Sequence, residues 1–451
     1  MSSPETQIYS LDILAQQERI NTIYTQLIFA FKYPTQDENK IKNVIKSLEA
    51  ALQVLHGVFP WTSGRVIRRD GHFKIRTTTS ASSKLVVQDL RQSGSLPDYK
   101  ALAASNFSYE WLDEEVVSHR RTLADSTDLE TGLPVFTIQL NIINGGLMLS
   151  FEAQHGSMDM AGQIQVIRLF ALACRGEAFT QSEVLVGNMA RGEVVPLLDE
   201  FDSEGDPAPK SREQHAMKDA PVSSLTWSYF NFDADTLTKL KEQASSDLPE
   251  NTFVSTDDVL SALIWRVITR TRFLRLSASD AEQVQDLEST LSRNVDGRHC
   301  LDLPAEYPGL MVTSTLHTRS LADVVDTPLG EIALELRAAL KPSQLKYQLR
   351  KQATLLARRT IPPSPSSNPS LDVRLSSWAK EDAYSIGFGL GFGRAGAVRT
   401  PRFEKGAREG LVYFLPKTRD ASIVVGICLR EDDMQVLRED HEMTGRCEYI
   451  G

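Results

Sequence analysis

Cysteine is scarce in this sequence, and its few copies lie far apart. The four cysteines are Cys174, Cys300, Cys428 and Cys447, and no two of them form a CxxC pair. Closely spaced pairs are typical of structural zinc sites, and a dense cysteine framework is typical of small secreted domains. The sequence therefore predicts reduced thiols in a cytosolic protein, with no metal site and no disulfides.

Long apolar runs and an excess of positive charge are also missing. No run approaches the 18 apolar residues of a membrane-spanning helix, and the first twenty residues lack the pattern of a signal peptide. The 49 basic and 59 acidic side chains give a net charge of -10, whereas a nucleic-acid-binding protein needs a basic surface. We expect a cytoplasmic protein without membrane or nucleic-acid partners. We also expect a monomer, because no amphipathic seam stands out.

The apolar residues that are present suffice for two cores. The chain has 451 residues, of which 41% are hydrophobic. A chain of this length is too long for one ordinary hydrophobic core. A polar stretch near the middle has the composition of an interdomain connection. We predict an N-terminal domain over 1–198, a crossover linker over 199–222 and a C-terminal domain over 223–451.

Alternating and helical periodicities locate several secondary-structure elements. Proline- and glycine-rich segments between them favour loops. The predicted strands are 23–34, 136–143, 147–153, 226–232, 410–416 and 422–429; the predicted helices are 41–55, 160–174, 233–244, 255–268 and 431–440; the predicted loops include 341–344, 361–370 and 387–396.

The motif HxxxD occurs twice, at His155 to Asp159 and at His215 to Asp219. The second copy lies in the polar crossover with no strand before it, and we assign it no role. The first copy lies on a short turn between the predicted hairpin and an apolar helix, where side chains are held rigidly. A neutral imidazole there can accept a proton from a hydroxyl or amine. A turn histidine satisfied by hydrogen bonds is the alternative.

Three further features carry less information when each is taken alone. Asp159 stands at the expected N-cap of the helix after His155, so it turns away from the imidazole and holds the shape of the loop. The segment 294–298, NVDGR, is typical of a polar turn. The segment 376–396 contains GFGLGFG, which does not fit the GxGxxG phosphate-binding fingerprint and favours a tight loop. No GxSxG or HExxH motif is present.

Six segments, taken together and in order, resemble the BAHD acyltransferase family, and most closely its fungal trichothecene 3-O-acetyltransferase-like branch. Each segment is weak alone, but together they extend over nearly the whole chain. They are VFPWTSGRV near residue 60, HGSMDMAGQ from His155, VSTDDVLSALIWRVITRTR at 254–272, NVDGR at 294–298, SSWAKEDAYSIGFGLGFGRAGAVRTPRF at 376–403, and CLREDDMQVLRED near the C-terminus.

The resemblance implies an α/β fold of two chloramphenicol-acetyltransferase-like domains joined by a long crossover, with an active-site tunnel at their interface. Acyl-coenzyme A would be a co-substrate, with no permanently bound cofactor and no metal. His155 would deprotonate a hydroxyl of a secondary metabolite, or less readily an amine, which then attacks the thioester without a covalent enzyme intermediate. Asp159 would be structural and paired with Arg298.

The resemblance also implies the remaining site residues. Trp378 and Ser376, in the SSW segment, would stabilise the oxyanion. The second domain would bind coenzyme A, and Ser255 and Thr256 are candidates because they lie at a helix N-terminus suited to anions.

Three positions depart from the family pattern. Gly387 replaces the aspartate of a late motif, Leu310 replaces an asparagine, and Gln154 stands where relatives often carry a second histidine. None of the three affects the base, but they leave two alternatives open. The same fold could use a carrier-protein thioester or run a proton-transfer or cyclisation reaction, or the protein could bind a ligand without catalysis.

Overall fold

The computed structural model of the chain describes residues 6–35, 37–78, 85–199, 224–246, 248–277, 284, 287–359, 368–391 and 393–451. Three β-sheets with packed helices lie within these residues, which confirms the predicted α/β class. The strands are β1 (Thr6–Ser10), β2 (Tyr24–Lys32), β3 (Arg65–Arg69), β4 (His72–Thr78), β5 (Val86–Asp89), β6 (Leu133–Pro134), β7 (Phe136–Ile143), β8 (Gly146–Gln154), β9 (Leu225–Phe232), β10 (Glu288–Asp296), β11 (Val312–Ser320), β12 (Val373–Ser377), β13 (Ala397–Arg399), β14 (Leu411–Phe414), β15 (Ile423–Arg430) and β16 (Glu448–Tyr449).

Helices cover the sheets and connect their strands. Short 3-10 helices lie at Ile13–Ala15, Arg19–Thr22, Pro60–Ser63, Tyr109–Trp111 and Arg298–Leu301. The α-helices are α1 (Glu38–Val58), α2 (Tyr99–Ala104), α3 (Glu114–Val117), α4 (Ser126–Thr131), α5 (Met160–Cys174), α6 (Gln181–Gly187), α7 (Ala234–Ser246), α8 (Thr256–Ser277), α9 (Leu321–Asp326), α10 (Leu329–Ala338), α11 (Pro342–Ala357), α12 (Glu431–Glu439) and α13 (His441–Thr444). No helix in these ranges is long and apolar enough to cross a membrane.

The predicted hairpin forms the middle of a five-stranded sheet of order β13-β2-β8-β7-β5. Strands β7 and β8 pair in an antiparallel register from Phe136 opposite Ala153 to Ile143 opposite Gly146. Both strands are buried on both faces, because α1 and α5 cover one face and the chain around Val117 covers the other. The polar side chains in them are therefore hydrogen-bonded, as where Asn141 Nδ2 donates to Val117 O at 2.8 Å.

A second sheet of seven strands, in the order β11-β10-β12-β14-β15-β9-β16, carries the fold of the second half. Helix α8 packs on it through a nearly continuous buried surface around Trp265. A third sheet of four strands, β1-β4-β3-β6, lies in the first half. Strand β1 was not predicted, because its side chains are mostly exposed and backbone pairing with β4 holds it without an apolar pattern.

One segment of the second half is built into the first. Strand β13 pairs with β2, so that Ala397 lies opposite Ala30. Just before it, Phe388 contacts four phenylalanine rings of the first half at centroid distances of 5.6 to 6.1 Å, namely those of Phe29, Phe31, Phe151 and Phe170. The predicted loop at 387–396 is therefore anchored by a buried aromatic side chain.

One of the predicted loops is wrong, and the predicted crossover lies mostly outside the described residues. The loop predicted at 341–344 is wrong, because Pro342 begins helix α11; proline fits the first turn, where its missing N–H has no helical partner. Most of the crossover, including His215 and Asp219, lies outside the described residues, and so does most of 361–370.

Candidate active site

His155 is placed by the short turn between β8 and α5. Its backbone N–H donates to Ile23 O at 2.9 Å, which holds the turn against the start of β2. The next residue is glycine for a steric reason, since a Cβ on Gly156 would lie 2.1 Å from the side-chain oxygen of Asn21. The turn is therefore packed too closely to allow the His155 backbone much freedom.

Gln154 holds the same turn from inside. Its Oε1 accepts from the backbone N–H of Ser157 at 2.7 Å, and its Nε2 donates to Asn21 Oδ1 at 3.1 Å. The Ser157 hydroxyl donates back to Gln154 O at 2.6 Å. The glutamine that departs from the family pattern thus has a clear structural role, because it fixes both sides of the His155 turn.

The His155 imidazole is surrounded by protein but still partly accessible. Its Nδ1 lies 3.4 Å from Met158 O, which makes this a weak contact. Because a carbonyl oxygen only accepts, the contact favours the tautomer that carries its proton on Nδ1. Nε2 is then the atom with a free lone pair. Burial lowers the pKa of His155 below its ordinary value, against the opposing charge of Asp159. A neutral imidazole with an available Nε2 has the properties of a general base.

Asp159 does not share a proton with His155, because its carboxylate is fully engaged elsewhere. Oδ1 caps helix α5 by accepting from the N–H of Gly162 at 2.9 Å. Arg298 donates from Nη1 and Nη2 to Oδ2 and Oδ1 at 2.9 and 2.7 Å, and the N–H of Met311 adds a bond of 2.8 Å. Both side chains are almost completely buried, with exposed fractions of 4% for Asp159 and 2% for Arg298. The pair joins the His155 turn to the second half of the chain.

The loop after Arg298 closes around this ion pair. Tyr307 O and Gly309 O accept from Arg298 at 2.8 and 2.7 Å. The carboxylate of buried Asp12 accepts two hydrogen bonds, one from the Tyr307 hydroxyl and one of 3.1 Å from the backbone N–H of Leu310. Leu310, the second departure, therefore contributes its backbone to this network while its side chain is buried in the core.

Trp378 and Ser376 lie at the end of β12, on the edge where the second sheet meets the first half. Ser376 Oγ accepts from Asn294 Nδ2 at 2.8 Å. The indole of Trp378 stacks on Tyr413 with a centroid distance of 4.9 Å, and it packs against both the first core and an aromatic cluster of the second half. The tryptophan is thus fixed at the junction of the two halves.

Comparison with known proteins identifies the family to which this chain belongs. Residues 23–174 match the family model described as the trichothecene 3-O-acetyltransferase-like N-terminal domain. Over 98% of the chain, the sequence is 37% identical to the O-acetyltransferase dmxR13 of Cryptosporiopsis sp., 97% of which is covered. The identity and both coverages are the same for trichothecene 3-O-acetyltransferase TRI101 of Fusarium sporotrichioides. This chain belongs to the BAHD acyltransferase family, in its trichothecene 3-O-acetyltransferase-like branch.

A solved structure of that branch agrees over the whole chain. The crystal structure of F. sporotrichioides TRI101 complexed with coenzyme A and T-2 superposes with a TM-score of 0.87 at 36% identity. The match covers 99% of this chain and all of that one. The predicted BAHD resemblance is confirmed, and with it an acyltransferase fold.

Within this BAHD acyltransferase, Ser255 and Thr256 lie at the N-terminus of α8, as predicted, but carboxylates already occupy that end of the helix. The Ser255 hydroxyl donates to Asp258 Oδ2 at 2.7 Å, and the Ser255 N–H donates to the same atom at 2.8 Å. Asp258 in turn accepts from Arg293 at 2.8 Å. The N–H and hydroxyl of Ser255 are therefore already hydrogen-bonded within this helix end, to the carboxylate of Asp258.

Gly387, one of the positions that depart from the family pattern, contacts an ion pair of the first half. Arg175 forms two hydrogen bonds with Glu177, at 2.7 and 2.6 Å, and it also donates to the carbonyl of Gly387. A local glutamate therefore neutralises Arg175, and the loop contacts this arginine through the backbone oxygen of Gly387.

The sequence predicted the residues of the motifs but not the residues that support those motifs through hydrogen bonds and packing. Asn21 and Asp12 were not predicted, because each lies far in sequence from the residues that it supports and belongs to a common residue type. Tyr307 is only nine residues from Arg298, but its hydroxyl partner Asp12 is 295 residues away. Glycines mark all three contacts sterically: a Cβ at Gly156 would meet Asn21, and a Cβ at Gly309 would meet both Asp12 and Tyr307. No group of three His, Cys, Asp or Glu side chains in the described ranges could hold a metal ion.

Proposed function

We propose that this acyltransferase moves an acetyl or other short acyl group from coenzyme A to a hydroxyl of a secondary metabolite, with His155 as the general base. The observation that supports this role is the setting of His155: burial lowers the pKa of its imidazole, and the one carboxylate of its motif is bound to Arg298. The names of the similar proteins, O-acetyltransferase and trichothecene 3-O-acetyltransferase, support the same reaction.

The reaction follows from these positions. Nε2 of His155 accepts the proton of the acceptor hydroxyl as its oxygen bonds to the thioester carbonyl carbon. The carbonyl oxygen then carries negative charge, for which the Trp378 indole N–H and the Ser376 hydroxyl are the proposed donors. Collapse of the tetrahedral intermediate breaks the C–S bond, and the imidazolium returns its proton to the leaving sulfur. General-base catalysis contributes about 10²–10⁴ in rate, and one oxyanion donor about 3–4 kcal/mol.

For the donor we propose acyl-coenzyme A; coenzyme A itself is bound in the similar TRI101 structure. Ser255 and Thr256 remain candidates for contact with it. Since carboxylates fill the first turn of α8, we assign these two residues to the neutral pantetheine amides and not to the phosphates.

We further propose that the chain is a cytosolic monomer with domains over 1–198 and 223–451 and a crossover over 199–222. All seven strands of the second sheet lie between 225 and 449, which supports the start of the second domain. Four free cysteines support a reducing compartment.

The test uses His155→Ala with purified protein and a panel of hydroxylated fungal metabolites. Acyl transfer is followed by release of the coenzyme A thiol, and acetyl-coenzyme A binding is followed by calorimetry. We expect the rate to fall by about 10²–10⁴ with donor affinity unchanged. His72→Ala, at an exposed histidine on β4, is the matched control and should leave both unchanged. Failure of the wild type to bind acetyl-coenzyme A would contradict the proposal and favour a carrier-protein donor or a non-acyl reaction. Full activity of His155→Ala would exclude the base.

A further inference from the structure

Arg191 is a buried arginine of the first half that contacts the backbone of the His155 turn. Its Nη1 donates to Ser157 O at 2.5 Å. Arg191 is 6% exposed, and Ser157 is completely buried. Ser157 lies inside the HxxxD motif, between His155 and Asp159. Arg191 therefore binds the backbone of the motif, whereas Arg298 binds its aspartate side chain.

The indole of Trp61 fixes the position of the Arg191 guanidinium. Cζ of Arg191 lies over the Trp61 ring, 4.1 Å from its centroid, which is a cation–π contact. The ring is itself held in place, because its Nε1 donates to Gly187 O at the end of α6 at 2.9 Å. Trp61 belongs to the segment VFPWTSGRV, one of the six family segments, which has no part in the proposed chemistry. This segment thus supplies the surface on which Arg191 lies.

The charge of Arg191 is not fully paired. Its Nη2 is buried and has no hydrogen-bond partner in the part of the chain that the structure describes. Asp12 is a carboxylate on which this charge acts: burial raises the pKa of Asp12, and the charge of Arg191 opposes that rise. Burying a charge without full pairing costs free energy. Stability alone therefore does not account for an arginine at this position.

The bond to Ser157 reaches the imidazole through one residue of backbone. The carbonyl that follows, Met158 O, is the one that lies 3.4 Å from Nδ1 of His155. The N–H and the hydroxyl of Ser157 are both bonded to Gln154, and Ser157 O accepts from Arg191. If Ser157 O lost its partner, the peptide group after Ser157 could rotate and Met158 O would move with it. The contact at Nδ1 therefore depends on the arginine.

We propose that Arg191 is a positioning residue for acyl transfer: by holding Ser157 O it keeps Met158 O against Nδ1 of His155 and leaves Nε2 for the acceptor hydroxyl. This inference rests on the proposed function, in which Nε2 takes the proton. In this role Arg191 acts through the turn and not on a reactant, so its loss should change turnover and not binding. A misplacement of about 1 Å in catalytic geometry costs about 10²-fold in rate, which sets the size of the expected effect.

The test replaces Arg191 by methionine, an unbranched side chain without a donor, in the acetyl-coenzyme A assay. At a temperature at which the variant is folded, kcat should fall by about 10–100-fold. The KM of the acceptor and the Kd of acetyl-coenzyme A should each change by less than about twofold. Arg399→Met is the matched control. Arg399 is a buried arginine on β13 that donates to Asn106 O at 3.0 Å and lies over the Tyr229 ring, so its loss should leave kcat unchanged.

Nitrogen NMR of protein labelled at its histidines reports on the ring itself. At neutral pH the wild type should carry the His155 proton on Nδ1, assigned by comparison with His155→Gln, and Arg191→Met should shift it toward Nε2. A wild-type ring protonated on Nε2 would overturn the inference. If Arg191→Met does not fold, Trp61→Phe takes its place, because it weakens the ring contact and keeps the arginine. An unchanged kcat and an unchanged tautomer in that variant would also overturn the inference.

The kinetic outcomes separate this inference from the proposed function. An unchanged kcat in Arg191→Met, or an equal loss in Arg191→Met and Arg399→Met, would show that Arg191 does not position the turn. A higher KM at unchanged kcat would place Arg191 against a bound reactant instead. In each of these cases His155→Ala still loses activity, so the proposed function stands. If the wild type transfers no acyl group, or His155→Ala is fully active, the proposed function fails and the inference with it.

Discussion

The carboxylate of Asp159 accepts hydrogen bonds from both terminal nitrogens of Arg298, a residue 139 positions further along the chain. The same carboxylate caps α5 directly below the His155 turn. Buried ion pairs add little net stability over apolar packing, but removing one partner leaves the other charge buried and uncompensated. The pair is therefore a fixed reference point between the catalytic turn and the second half of the chain.

Replacing Asp159 by asparagine should destabilise the protein strongly. Asparagine still caps the helix but leaves Arg298 with only Asp296 as a counter-charge. We expect a loss of about 3–5 kcal/mol, seen as a lower Tm. The matched control is Asp98→Asn, at an exposed N-cap that accepts from Ala101 without an arginine; its Tm should barely change. Equal effects of the two substitutions would contradict the role of the ion pair.

The pH dependence should report a histidine that is hard to protonate. Burial lowers the pKa of His155, so the acid limb of kcat/KM should lie at an apparent pKa below the ordinary 6.5. In the unfolded chain the same group takes up a proton at its ordinary pKa. Its contribution to stability is therefore fully present above pH 6.5 and is lost as the pH falls toward the folded pKa. Between pH 7 and 5, the Tm of wild type should fall more steeply than that of His155→Gln. Parallel curves would show that the histidine is not buried as a neutral group.

Gln154→Leu should damage catalysis more than substrate binding. The substitution removes the bonds to Ser157 N and Asn21 Oδ1, and leaving these buried groups unpaired costs about 1–3 kcal/mol each. The His155 turn then loosens, so kcat should fall with KM little changed. Gln165→Leu is the matched control, since this buried glutamine of α5 has no side-chain hydrogen bond within the described residues. A rise in KM alone would place Gln154 in the binding pocket.

The glycine-rich loop should tolerate a carboxylate at one position and reject side chains at another. A Cβ on Gly387 meets nothing within 4 Å, so Gly387→Asp should change stability by no more than about 1 kcal/mol, as for other exposed ion pairs. Gly389 has φ +69°, where Gly389→Ala should cost about 1–2 kcal/mol. Thermal unfolding of both variants tests this contrast; a large loss for Gly387→Asp would mean that Arg175 cannot release Glu177.

Features set by neighbouring residues could be predicted from the sequence. The β7–β8 hairpin, the cap at Asp159 and the turn position of His155 depend on a few adjacent side chains, and the structure has them as predicted. Helix α11 was mispredicted because the Pro342 segment resembles a loop as readily as a first helical turn.

Features that depend on distant pairs could not be predicted from the pattern alone. The partner of Asp159 followed only from the family resemblance. The support of the His155 turn by Asn21 and the closure of the Arg298 loop by Asp12 both join residues more than 130 positions apart. Asparagine and aspartate are common on any surface, so nothing local distinguishes these copies from others.

Strand β13 has a consequence for how the chain is made. Until residues 397–399 leave the ribosome, β2 is an unpaired edge with the apolar sequence Leu27-Ile28-Phe29-Ala30-Phe31. About 365 residues separate the two strands, which at the usual 5–20 residues per second is roughly 20–70 s of synthesis. For that time the first half has an unpaired strand edge that can pair with other chains and so favours aggregation. A truncated first half made alone would keep that edge permanently and would be prone to aggregation.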